Sequence, residues 1–136
     1  MMNVDRRGAV ALGLVTAALA TPRPASAQMY GPTEGKEVGP GIRMIDHGER
    51  PSTIPAYKKI QMLDLIIAPG TVDAESMMSA DMICTCPEGE LLVSHNGHEF
   101  TVGKGDAWTC AKGITLEGFR NTSNAPAVMR VVKMLT

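Results

Sequence analysis

The chain has 136 residues, 44% hydrophobic and 20% charged, with a formal net charge of −1. That is one domain's worth of chain, and a balance so near neutral lacks the basic footprint of a nucleic-acid-binding protein. Glycine (14) and proline (9) outnumber Trp (1), Tyr (2) and Phe (2), which favours turn-rich β structure over a helical bundle.

Residues 1–27 read as an export signal. A charged start (Asp5, Arg6, Arg7) precedes an apolar run from Gly8 to Ala20, and Ala25-Ser26-Ala27 gives the small-residue pattern of a cleavage site. The run spans about 13 residues, short of the roughly 20 a helix needs to cross a bilayer, so no membrane association is expected after cleavage. Arg6-Arg7 and the basic Arg23 fit a twin-arginine leader, and an ordinary Sec leader fits equally well. Either route places the mature chain, starting at Gln28, in the periplasm or outside the cell. It keeps all three cysteines.

Residues 28–57 are rich in Gly, Pro and charge, with no apolar period, and read as an irregular lead-in that wraps the domain or adds an edge strand. Residues 58–136 form the predicted domain. Ile60 to Ile67 reads as a mostly buried strand, interrupted by Asp64 and closed by Pro69-Gly70. Met82 to Cys86, Leu91 to His95 and His98 to Val102 follow as strands. Asn96-Gly97 between the last two is the strongest short hairpin signal, a type I′ turn. Ala107 to Cys110 and Val128 to Leu135 complete the pattern. About seven short strands at near-ten-residue spacing point to a sandwich or small barrel.

The order of turns and glycines from Lys58 to Leu135 resembles the cupin superfamily, whose members are small jelly-roll barrels. Cupin motif one is G-x5-H-x-H-x3/4-E-x6-G. Here Gly70, Ser76, Met78, Met82 and Gly89 stand at that spacing. Motif two is G-x5-P-x-G-x2-H-x3-N; Gly105, Gly113 and Asn121 match it, Ala111 stands in the proline slot, and one extra residue separates Gly113 from Asn121. The resemblance implies an all-β, cupin-type jelly-roll barrel behind an irregular N-terminal extension. It also implies a homodimer as one assembly.

The chemistry departs from the family. The positions that hold iron or manganese there carry Ser76, Met78, Met82 and, depending on where the extra residue is counted, Leu116 or Glu117. The usual three-histidine, one-glutamate centre is therefore not expected. Residues two apart on a strand share a face. If Met82 points inward as the family glutamate does, Cys84 and Cys86 do too, with Met78 on the neighbouring strand and Cys110 close by. Thioether and thiolate are soft ligands and select Cu(I) over hard cations.

Three readings of this lining stand side by side. Met and Cys are common core residues and fill a barrel without binding anything, which would leave a metal-free structural or dimerisation module. A soft-metal site would use Met78, Met82, Cys84, Cys86 and Cys110. An organic-ligand pocket would be lined by Ser76, Trp108, Leu116 and Glu117, with Glu117 as acid or base toward a small organic acid or sugar-like substrate. The expected partner is thus a metal ion or a small molecule. Outside the cytosol, a disulfide from Cys84 or Cys86 to Cys110 would consume two of these ligands. His95 and His98 flank the hairpin turn and read as solvated tip residues, lacking a third ligand.

Overall fold

The computed structural model describes residues 28–136, so the leader expected over residues 1–27 lies outside the described residues. Ten strands and no helix make up the described chain. They are β1 (Lys36–Gly39), β2 (Ile42–Pro51), β3 (Lys59–Ile67), β4 (Val72–Met77), β5 (Asp81–Glu88), β6 (Leu91–His95), β7 (His98–Val102), β8 (Ala107–Cys110), β9 (Leu116–Arg120) and β10 (Ala127–Leu135). They pair antiparallel into a six-stranded sheet, β1-β2-β3-β10-β5-β8, and a four-stranded sheet, β4-β9-β6-β7. The all-β expectation holds.

The inner faces of both sheets supply one core. Ile42, Ile67, Met82, Cys84, Cys86, Met129 and Val131 come from the large sheet, and Leu91, Val93, Val102 and Phe119 from the small one. The alternation that buries them is the two-residue period of an extended chain. Asn96 (φ 48°) and Gly97 (φ 83°) both take positive φ, as a type I′ turn requires, and the hairpin pairs His95 with His98.

Residues 28–57 are not irregular as a whole. They carry β1 and β2, and β2 is an interior strand hydrogen-bonded to β3 along most of its length. Its two-residue period was hidden by a register shift between Asp46 and Glu49, where Gly48 takes φ 88°. A bulge of this kind moves later side chains to the opposite face.

Asp64, which breaks the apolar run of β3, is fully buried on the outer side of the large sheet. Arg130 lies directly opposite on β10 and grips it with Nε and Nη2, both at 2.8 Å. The Tyr30 hydroxyl donates to Asp64 Oδ2 at 2.5 Å, and His47 Nε2 stands 3.1 Å from the same oxygen. Residues near the start of the described chain are thereby pinned across the sheet. Burial alone would raise the Asp64 carboxyl. The hydrogen bonds from Arg130, Tyr30 and His47 outweigh it and hold the group below the usual carboxylate range.

Candidate metal centre

The register of β9 decides which residue takes the interior place of motif two. Phe119 is buried in the core, and Glu117, two residues earlier, shares its face. Glu117 is 6% exposed, whereas Leu116 is 36% exposed and points out. The motif-two position therefore belongs to Glu117. Gly118 between Glu117 and Phe119 lets β4 pass close above. A Cβ there would lie 2.7 Å from both Asp73 O and Glu75 N, where β4 bulges between Asp73 and Ser76.

Three strands aim donors at Glu117. On β6, Leu91, Val93 and His95 face inward in phase, and His95 is the register partner of Glu117. Its Nε2 lies 2.7 Å from Glu117 Oε1. The hairpin turn is locked to the start of β9 by reciprocal bonds: Asn96 N–H to Leu116 O at 2.9 Å and Leu116 N–H to Asn96 Oδ1 at 2.7 Å. On β8, Trp108 and Cys110 share a face. The indole Nε1–H donates to Glu117 Oε1 at 2.8 Å, and the Cys110 thiol reaches the same oxygen at 3.2 Å. Cys110 Sγ is also 3.6 Å from His95 Nε2. On β5, Cys84 stands opposite Trp108 and diagonal to Cys110.

The donor atoms of Cys84, Cys110 and Glu117 all lie within 4.8 Å of one another. The two cysteines are 0% and 3% exposed. A hydrogen bond to Cys110, then burial, then the charge of Glu117 push the Cys84 thiol far above its ordinary value. Asp73, held up by burial and by the charge of Glu117, feels the same field. The aromatic wall is ordered edge to face, His95 on Phe100 at 5.0 Å and Phe100 on Trp108 at 6.3 Å between ring centroids.

The other residues singled out by sequence fall around this cluster. Met82 is buried and is the register partner of Cys110, so its thioether stands on the same inner face. Met78 is half-buried beyond the end of β4. Ser76 is exposed, although it is the register partner of Glu117. Cys86 is buried but turned to its own hairpin, its thiol donating to Glu88 O at 3.4 Å and Gly89 O at 3.7 Å. Burial pushes that thiol up to about 11. Trp108 borders the cluster as a hydrogen-bond donor. His95 is a correction: it is half-buried and bonded into the cluster rather than solvated at a tip, while His98 is exposed.

The three-histidine, one-glutamate centre does not fit these donors. An exposed serine and two methionines stand at its motif-one positions.

Solved structures share this architecture. KdgF from Halomonas sp. matches with a TM-score of 0.62 at 17% identity, over 76% of this chain and 87% of its own. The cupin domain of an XRE family transcriptional regulator from Enterobacter cloacae gives 0.57 at 17%, over 71% and 99%. A sugar phosphate isomerase of the cupin superfamily from Silicibacter pomeroyi gives 0.56 at 21%, over 71% and 60%. No protein-family model and no curated protein matches the sequence. The fold is a cupin-type jelly-roll barrel. At these identities the likeness carries the fold and no activity.

Proposed function

We propose that the protein is an exported metal-binding protein on a cupin scaffold, holding a soft or borderline cation at Cys84, Cys110 and Glu117; His95, outside that close set but 2.7 Å from Glu117 Oε1 and 3.6 Å from Cys110 Sγ, turns in as the fourth donor. What carries the reading is the convergence of two buried sulfurs and a buried carboxylate within 4.8 Å. Two thiolates and a carboxylate side by side in the interior repel one another. A divalent ion removes that penalty, and deprotonation of the thiols is then coupled to its uptake. Sulfur, nitrogen and oxygen donors in one four-fold set match Zn²⁺, which takes Cys, His and Glu in tetrahedral sites.

Cu(I) is the second reading, and one observation favours it. The Met82 side chain is buried beside Cys110, so Cys84, Cys110 and Met82 offer an all-sulfur set.

The test is titration of the reduced protein with Zn²⁺ and, separately, with Cu(I), each against a chromophoric chelator. One ion per chain is expected. Cys84→Ser and Cys110→Ser each weaken uptake beyond the roughly 10–100-fold typical of outer-sphere changes, and Cys86→Ser leaves it unchanged. Glu117→Gln weakens Zn²⁺ selectively, and Met82→Leu would weaken Cu(I) selectively. Wild type competing no better than the Cys84→Ser/Cys110→Ser double variant overturns the proposal.

A further inference from the structure

We infer that Cys84 and Cys110 form a reversible dithiol–disulfide couple that excludes the metal when oxidised, with Cys86 as a bystander. The exclusion of metal rests on the function proposed above; the couple itself does not.

The pairing follows from placement. All three cysteines are free thiols. Cys84 and Cys110 lie diagonally across β5 and β8, with Sγ atoms within 4.8 Å. Cys86 stands on the same strand face as Cys84 but spends its thiol on the carbonyls of Glu88 and Gly89. Only one pair is therefore poised to bridge. Closing to a disulfide's roughly 2.05 Å requires the two Cα atoms to come within about 7 Å. Diagonal neighbours stand near that limit. The remaining travel comes from β8, a four-residue strand at the sheet edge that is hydrogen-bonded on one side alone.

The oxidant is a small-molecule disulfide, RSSR, which reaches the buried Cys110 when the edge strand β8 frays from β5, its one hydrogen-bonded neighbour. Glu117 Oε1, 3.2 Å from Cys110 Sγ, accepts the Cys110 proton. The Cys110 thiolate attacks one sulfur of RSSR, breaking its S–S bond and releasing RS⁻. Cys84 then loses its proton and attacks Cys110 Sγ, breaking the mixed disulfide and releasing the second RS⁻. The two protons end on two RSH molecules, and two electrons pass from the protein to the small disulfide. Metal-bound sulfurs and a 2.05 Å bond cannot coexist, so an oxidised protein has lost both sulfur ligands.

The experiment uses the reduced, metal-free full chain in an oxidised/reduced glutathione buffer. One sample stays native. A second is unfolded and refolded in the same buffer, so burial cannot hide the sulfurs. Free thiols are counted after denaturation, and non-reduced peptides are mapped by mass. The expected result is loss of two thiols, a peptide linking Cys84 to Cys110, and Cys86 free. Zn²⁺ uptake should vanish in that form and return on reduction. Three free thiols in both samples, or a bridge that includes Cys86, overturns the couple. Bridge formation in a protein whose reduced form takes no Zn²⁺ or Cu(I) leaves the couple standing and removes the metal function. Metal uptake without a bridge removes the couple alone.

Discussion

Replacing Asp64 by alanine tests the polar cluster that pins the described N-terminal segment to the large sheet. The carboxylate is fully buried and receives two bonds of 2.8 Å from Arg130 and one of 2.5 Å from Tyr30. Removing one partner of a buried ion pair costs about 3–5 kcal/mol, because the other charge is left uncompensated. The Arg130 side chain is one-third exposed, at 33%, so water reaches the freed guanidinium and the cost falls to the lower end. The orphaned Tyr30 hydroxyl adds about 1 kcal/mol. Asp64→Ala is thus expected to lose about 3–4 kcal/mol. It should appear as a lower urea midpoint with unchanged slope at pH 7. The double variant Asp64→Leu/Arg130→Met removes both charges and should sit within about 1 kcal/mol of wild type. A single-variant cost below about 1 kcal/mol, or a double variant as damaged as the single, would refute the reasoning. The folded-state pKa of Asp64 lies below its unfolded value. Its contribution is therefore present above pH ~3.9 and is lost as pH falls through the folded value. The gap between wild type and Asp64→Ala should close in acid.

Trp108→Phe keeps the ring packing but deletes the 2.8 Å bond that orients Glu117. Zn²⁺ affinity should fall about 10–100-fold in chelator competition, with the urea midpoint little changed; equal affinity would remove Trp108 as a positioning residue. Burial first, then the hydrogen bond to Asp64, pushes Tyr30 up to about 12. A raised folded pKa gives stability that is full below pH ~10 and is lost as pH rises through the folded value. The ultraviolet difference titration of wild type against Tyr30→Phe should therefore place this phenol near 12, and ionisation at an ordinary value would show the contact absent in solution. Gly118→Ala drives a methyl into β4 backbone at 2.7 Å and should cost about 1–3 kcal/mol of stability. A neutral effect by denaturation would show that β4 does not cross there.

Much of the barrel was legible because its period is two and its turns are chemically marked. The strands from Ile60, Leu91, His98, Ala107 and Val128 were read from alternation bounded by Pro-Gly, Asn-Gly or Gly-rich turns, and the structure gives them within a residue or two. β4 and β9 escaped a separate reading for a physical reason. Val72–Met77 has no buried side chain, and Leu116–Arg120 has a glycine at its centre. Their pairing depends on contact between strands that a linear pattern does not carry. β2 escaped because of its bulge.

In the candidate site, the inward phase of Met82, Cys84 and Cys86 was legible, yet sharing a face did not make a ligand set. Cys86 bonds to its own turn, and the carboxylate that gathers Cys84 and Cys110 comes from the other sheet. His95 carried a readable signal, since Leu91 and Val93 set the phase that puts it inside. The adjacent Asn96-Gly97 turn signals a solvent-exposed tip, but pairing of β6 with β9 covers it on the His95 side. Asp64 was likewise visible as a charge inside an apolar strand, and only the register that sets Arg130 opposite explains it.

X-ray absorption at the zinc edge of the reduced, zinc-loaded protein tests the central claim most directly. The account expects two sulfur scatterers at about 2.3 Å and two nitrogen or oxygen scatterers at about 2.0–2.1 Å, with one sulfur lost in Cys110→Ser. A shell of nitrogen and oxygen alone, or one unchanged in Cys110→Ser, would contradict it.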